Sequence, residues 1–280
     1  MLANSLSPLG RFERILIATD GSEFSSGAAV VGLEMARIFD AKVFVVSIAR
    51  SDPEYATLVP GLEEEAEAQA LRNLAAVRSL AAGMDCEYLV RHAEDPYMGI
   101  VRSAEEFRAD VIVMGRRGRR GLARMMVGDA TVKVIGHAPC SVLVVPKAAR
   151  MWQAGILVAT DGSRYADAAA VNAERIAAAC GLPVIVLSVT LPIHNRQRRE
   201  QADAAVARVS EALTASGLHV DGLVRDGRPD QIIIETAKVH GADLIVMGSH
   251  GRTGMERVLL GSVSERVIGY AEFPVFVARS

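Results

Sequence analysis

Four residues near the C-terminus, Gly248, Gly251, Gly261 and Ser262, have types and spacing suited to holding a phosphate. They lie in the run Gly248-Ser249-His250-Gly251-Arg252-Thr253-Gly254, followed by Met255 to Leu260 and then Gly261-Ser262. Glycine permits positive φ and lets the backbone come close to an anion. A Gly-Ser pair that opens a helix offers unpaired N–H groups and the positive end of the helix dipole. Glu265 stands three residues after Ser262, so the pair also reads as a capping box. His250 sits inside the loop, where it could hydrogen-bond a ligand or act in acid–base chemistry, but no carboxylate neighbour in sequence orients it. Asp161, in the turn Thr160-Asp161-Gly162-Ser163, could ligate magnesium or cap the helix that follows.

The glycine spacing occurs once more, at Gly115, Gly118, Gly121 and Gly128, but Asp129 stands where the later copy has serine. Aspartate is a favoured N-cap, and its carboxylate could satisfy the helix start that a phosphate would otherwise occupy. A carboxylate about 4 Å from a phosphate charge costs about 4 kcal/mol at an effective dielectric of about 20, and solvent and salt reduce this in an open cleft. Arg116, Arg117, Arg119, Arg120 and Arg124 pull the other way. They could offset Asp129 and hold a highly charged anion, or pair with Asp129 and with the acidic stretch Glu63 to Glu67. The expectation is a degenerate, mainly structural site at Asp20, Gly115, Gly118, Gly128 and Asp129.

The elements that must position these loops follow from an internal repeat. Ile15 to Ser22 reads ILIATDGS and Ile156 to Ser163 reads ILVATDGS. Ala109 to Gly115 reads ADVIVMG and Ala242 to Gly248 reads ADLIVMG. The offset is 141 at the first pair and 133 at the second, so the later copy is shorter in its middle connection. The spacing predicts strands over Arg14–Ala18, Val43–Ile48, Cys86–Arg91, Val111–Met114 and Val142–Val145. Helices are predicted over Ser26–Phe39, Glu63–Ala82, Tyr97–Phe107 and about 130–136, and the second copy repeats the order. Strands apolar on both faces that alternate with helices imply a parallel sheet covered on both sides. The fold class is therefore α/β: two tandem, doubly wound, five-stranded parallel-sheet domains of Rossmann-like type, expected over 1–148 and 152–280. Ligands of such sheets sit beyond the carboxyl ends of the strands, at the switch in winding. Asp20 and Asp161 end the first strands and the glycine loops end the fourth, so all of them fall on that edge.

Composition excludes other classes. The 280 residues carry a net charge of −2, with no global basic field to recommend a nucleic acid. Aromatics make up 5%, too few for a platform that stacks single strands. Cys86, Cys140 and Cys180 have no metal-ligand spacing and read as small buried hydrophobes. Met1 to Glu13 has no apolar signal core, and no stretch approaches the ~20 apolar residues of a membrane span, so a soluble cytoplasmic chain is expected. Neither G-x-x-x-x-G-K-[ST] nor a G-x-G-x-x-G after the first strand occurs.

The T-D-G-S turn, the M-G-S-H-G-R-T-G loop and the G-S-V-S-E-R-V helix start together resemble the universal stress protein family, across almost all of both halves. The ATP-binding members of that family carry G-x2-G-x9-G-[ST], matched by Gly248, Gly251, Gly261 and Ser262. The resemblance implies that Asp161 lies by the base and ribose, and that the backbone of Val189 meets the adenine edge. It implies that Met247, Gly248, Ser249, His250, Gly251, Gly261, Ser262 and Val263 line the rest of an ATP site. It further implies ATP as ligand, with magnesium left open, a role in stress adaptation, and self-association through the fifth strands. The sequence shows no nucleophile–base pair, so little or no turnover is expected. A slow ATPase, a nucleotide-free scaffold, and RNA binding through the arginine loop remain the alternatives; the last predicts steep salt dependence.

Overall fold

The computed structural model describes residues 11–51, 61–116, 127–193, 195–252 and 260–279. Gly118 and Gly121, Arg117, Arg119, Arg120 and Arg124, together with Gly254, lie outside the described residues. The chain divides into two compact units, residues 12–150 and 151–280.

In unit 1 the order is β1 (Arg14–Ala18), α1 (Glu23–Phe39), β2 (Lys42–Arg50), α2 (Leu62–Ala81), β3 (Cys86–Ala93), α3 (Pro96–Glu106), β4 (Val111–Gly115), α4 (Asp129–His137) and β5 (Ser141–Val145). Unit 2 repeats it as β6 (Ile156–Ala159), α5 (Arg164–Cys180), β7 (Val184–Thr190), α6 (Arg196–Ala215), β8 (Val220–Asp226), α7 (Pro229–Val239), β9 (Leu244–Gly248), α8 (Ser262–Tyr270) and β10 (Val275–Ala278). The strands of unit 1 lie in the order β3-β2-β1-β4-β5 and those of unit 2 in the order β8-β7-β6-β9-β10. Every pairing within each unit is parallel. The chain thus winds outward from the first strand, returns and winds the other way, which puts the switch point between β1 and β4, and between β6 and β9.

β1, β4 and β5, with β6, β9 and β10, are rich in Val, Ile and Leu and almost wholly buried. Covered on both faces, they have no polar alternation to show. β3 and β8 depart from the expected two-sided burial, because much of each is half-exposed at the outer edge of its own sheet. α1 begins at Glu23, three residues earlier than expected. The Asp20 carboxylate explains this: it accepts the N–H and the Oγ–H of Ser22, at 3.0 and 2.6 Å, and closes the turn at the helix start. Asp161 repeats the turn by accepting the Ser163 N–H at 3.0 Å, and there Ser163 is the cap, accepting from the Ala166 N–H. Neither aspartate is itself the N-cap.

At the opposite end of the sheets a second pair of aspartates fastens the strands. Asp110 Oδ2 accepts the N–H groups of Glu13 and Arg14 at 2.8 and 2.9 Å. Asp243 accepts those of Gln153, Ala154 and Gly155 at 2.7–3.1 Å. Among the cysteines, Cys140 is buried as expected, while Cys86 and Cys180 are half-buried. Burial nonetheless pushes both of those thiols above their ordinary value. Among the described residues no helix is long and apolar enough to cross a membrane.

Candidate functional site

Gly248 closes β9 where α5 begins to pass over it. A Cβ at this position would lie 2.7–2.9 Å from Cβ, C and O of Tyr165, so only glycine fits. Ser249 turns inward and is 2% exposed. Its carbonyl accepts the Gly261 N–H at 2.9 Å, which brings the far side of the loop back to the end of the strand. Ser249 therefore supports the cleft from beneath and does not line it. His250 hydrogen-bonds Ser249 Oγ through Nδ1 at 3.1 Å and packs beside Tyr165, ring centroids 5.3 Å apart. Gly251 lies against Asp161, where a Cβ would come within 2.7 Å of Oδ2. Asp161 Oδ2 also accepts the Arg252 N–H at 2.8 Å. The same carboxylate thus holds its own turn and the glycine loop.

The helix start differs from the expected capping box. Gly261, extended at φ −66° and ψ 143°, is the N-cap, and Ser262 is the first helical residue. A capping side chain must come from an extended residue just outside the helix; Ser262 is one position too late, and α8 has no side-chain cap hydrogen bond. The consequence is chemical. The first-turn amides of α8 face the cleft without a capping side chain, beside the positive end of the helix dipole. Ser264, buried, donates Oγ–H to the Gly248 carbonyl at 2.9 Å and locks the helix start to the strand end.

The other end of the cleft is made by a difference in strand length. β6 pairs with β7 only as far as Ala159 and Leu187, and β7 runs on to Thr190. The Leu187 carbonyl accepts the Thr160 N–H at 2.8 Å, so it points toward β6. Residues two apart in a strand direct their backbone groups to the same side. The N–H and C=O of Val189 therefore face the same side, past the last paired residue of β6.

These parts enclose a cleft of about 600 Å³. Asp161, Val189, Met247, Gly248, His250, Gly251, Gly261, Ser262 and Val263 all line it. The sequence reading missed Arg198 and Ala202 from α6, Pro229 and Ile233 from α7, and Arg252 from the loop. Arg252 Nη1 donates to Gln201 Oε1 at 2.8 Å, which carries its guanidinium across to α6. The signal for Arg252 was its place directly after Gly251; the helix residues had none, because only the packing brings them there.

Unit 1 has a corresponding cleft of about 750 Å³, lined by Asp20, Gly115, Gly128 and Asp129 among others. Asp129 does not act as the expected N-cap. Gly128 holds that position, and Asp129 is already helical. Its carboxylate, 79% exposed, turns to Lys133 Nζ at 2.9 Å, and Asp95 reaches the same ammonium at 3.0 Å. The hydrogen bond to Asp129, then that to Asp95, raises the Lys133 ammonium above its ordinary value. Among the described residues, four carboxylates (Asp20, Glu94, Asp95, Asp129) and two cations (Arg50, Lys133) line this cleft, a formal −2. Among the described residues of unit 2, Asp161 stands against Arg198 and Arg252, a formal +1. Among the described residues no group of three or more His, Cys, Asp or Glu is placed to hold a metal.

Residues 11–146 and 155–279 each match the universal stress protein family. A universal stress protein of Mycobacterium tuberculosis is 28% identical over 288 aligned positions, covering 95% of this chain and 96% of its own. The crystal structure of a universal stress protein from Archaeoglobus fulgidus shares the fold with a TM-score of 0.76 at 23% identity, covering 96% of this chain and 99% of that one. Another structure from that organism, a universal stress protein in complex with dAMP, covers 45% of this chain and 97% of its own, with 24% identity and a TM-score of 0.39.

Proposed function

The chain belongs to the universal stress protein family, and on that premise we propose that it is a regulatory ATP-binding protein of the stress response, with ATP held in unit 2 and turned over little or not at all. The observation that carries the reading is the pairing of two features in one cleft. The uncapped first turn of α8 lies at one end and the outward-facing backbone of Val189 at the other. The first suits phosphates and the second suits the donor–acceptor edge of a base. Asp161 lies between them, beside the position that a ribose would take. The cleft volume falls within the usual range of small-molecule sites.

Magnesium fits this site only as a companion of the phosphates. Among the described residues Asp161 is the single carboxylate that lines the cleft, and both of its oxygens already accept N–H groups. Phosphate oxygens and water would supply most of the ligands, as magnesium ordinarily prefers. Ser249 Oγ, the hydroxyl that His250 Nδ1 meets at 3.1 Å, is buried and does not line the cleft, which favours binding with little or no turnover. Occupancy would then change the order of the Gly251–Arg252 segment and be read by a partner.

Calorimetric titration of ATP into the full chain, with and without magnesium, tests the reading, after a denatured sample has been checked for copurified nucleotide. One site per chain supports it. Absence of both binding and copurified nucleotide would leave the nucleotide-free scaffold. The same reading includes self-association through Val142–Val145 or Val275–Ala278 and a cytoplasmic location; light scattering across a dilution series and cell fractionation check these two points.

A further inference from the structure

Unit 1 has lost the features of its cleft unevenly. The base end is intact. β1 pairs with β2 only to Ala18 and Val46, while β2 continues to Arg50. The Val46 carbonyl accepts the Thr19 N–H at 3.0 Å, so Ile48, two residues on, turns its N–H and C=O the same way, past the end of β1. This is the arrangement of Val189 in unit 2. Ile48, Ile100 and Met114 wall the hollow, and among the described residues no side chain fills it.

The sugar end has been rebuilt with neutral groups. In unit 2 the glycine of the T-D-G-S turn faces Ala205 Cβ and the charged Arg252 Nη2, each 3.3 Å from where its own Cβ would be. In unit 1 the same turn glycine, Gly21, faces the carboxamide of Asn73. Asn73 is 6% exposed, donates to Ser47 Oγ at 3.1 Å and accepts from Gln69 Nε2 at 2.8 Å. Both Asn73 and Gln69 line the cleft beside Asp20. Carboxamides offer donors and acceptors without charge, which suits hydroxyl groups.

The phosphate end carries an excess of acid among the described residues: Asp129 and Asp95 share Lys133 at the start of α4, so that ammonium is already paired with two carboxylates.

We infer that the cleft of unit 1 is a second ligand site that takes a nucleoside carrying no phosphate. The inference rests on the nucleotide reading of unit 2, since the base-end geometry is carried across from it. The two sites of one chain would then separate a phosphorylated ligand from its dephosphorylated form.

Calorimetric titration of adenosine into the full chain already saturated with ATP tests this. One adenosine per chain is expected, without loss of ATP. Asn73→Ala, which installs the residue type found in unit 2, is expected to weaken adenosine at least tenfold while ATP binds as before. Ala66→Trp, which fills the same hollow from an incompletely buried helix position, is expected to abolish it. Asp129→Ser is expected to raise ATP binding from one site toward two. No adenosine binding to the saturated chain, adenosine that only displaces ATP, or two ATP sites in the unaltered chain would each overturn the inference; the last would assign the loop arginines to phosphate. If the chain binds no ATP, the reading of unit 2 fails instead. Adenosine titrated into the ligand-free chain then decides: binding that Asn73→Ala removes and Ser262→Asp leaves unchanged supports the inference, and any other result overturns it.

Discussion

Asp161 Oδ2 accepts the backbone N–H of Arg252 at 2.8 Å, which ties the end of β6 to a loop ninety-one residues later. Its other oxygen holds the Ser163 N–H. One side chain thus fixes both the turn that starts α5 and the position of the glycine loop. Asp161→Ala removes a charged acceptor from two N–H groups, so it should cost about 1–3 kcal/mol of stability. The Arg252 amide should also exchange hydrogen faster, and ATP affinity should fall by tenfold or more in calorimetry. Unchanged exchange at Arg252 would mean that the loop is held by other contacts.

Ser262→Asp places in unit 2 the residue that unit 1 has at Asp129. Ser262 is exposed, so the fold should tolerate it. The added carboxylate opposes phosphate at the start of α8, and a penalty of only about 1.4 kcal/mol is a tenfold loss in affinity. The loss should shrink as salt is raised, because the charges are near solvent. Titration of ATP at two ionic strengths checks both points.

Gly248→Ala forces a methyl to within 2.9 Å of the Tyr165 backbone. Backbone cannot step aside as a flexible side chain can, so unit 2 should lose about 1–3 kcal/mol, in line with overpacking elsewhere. Thermal unfolding should show the change. Gly181→Ala, at an open position where only the positive φ is at issue, provides the comparison.

Asp243→Ala separates fold from site. Asp243 accepts three consecutive N–H groups before β6, at the end of the sheet away from the cleft. Stability should fall by about 1–3 kcal/mol with ATP affinity within twofold of the unaltered chain. A large drop in affinity would show that the two ends of the sheet are coupled.

Cys86 and Cys180 should alkylate slowly at pH 7. Desolvation raises both thiols above their ordinary value, so thiolate forms at higher pH in the folded chain than in the unfolded one. The stabilising contribution is present below the unfolded value and is lost as pH rises through the folded one. Rates with iodoacetamide from pH 7 to 10, native against denatured, read this directly.

Much of this was legible in the residues before any coordinates. The repeated ILxATDGS and ADxIVMG segments give strand, turn and strand again because buried parallel strands need unbroken apolar runs and a polar stop. The Gly248, Gly251 and Gly261 spacing marked the loop because a Cβ would strike Tyr165 at Gly248 and Asp161 at Gly251, and would crowd the Ser249 carbonyl at Gly261. Helix caps were read less well. Ser262 and Asp129 are both cap-forming types, yet each lies one residue inside its helix. A one-residue shift does not alter the pattern of residue types, but it decides whether a side chain can reach the first amides.

Sequence alone determined the repeat, the α/β class and the edge of the sheet on which the candidate cleft falls, because these depend on periodicity and on local backbone freedom. Tertiary structure alone decided which distant groups share the cleft. Arg252 reaches Gln201 on α6, Asn73 stands against the turn glycine of unit 1 where unit 2 has Ala205 and Arg252, and Lys133 draws Asp95 and Asp129 together. Those contacts join residues far apart in the chain, and their distances follow from how helices pack on the sheet, which no local pattern encodes.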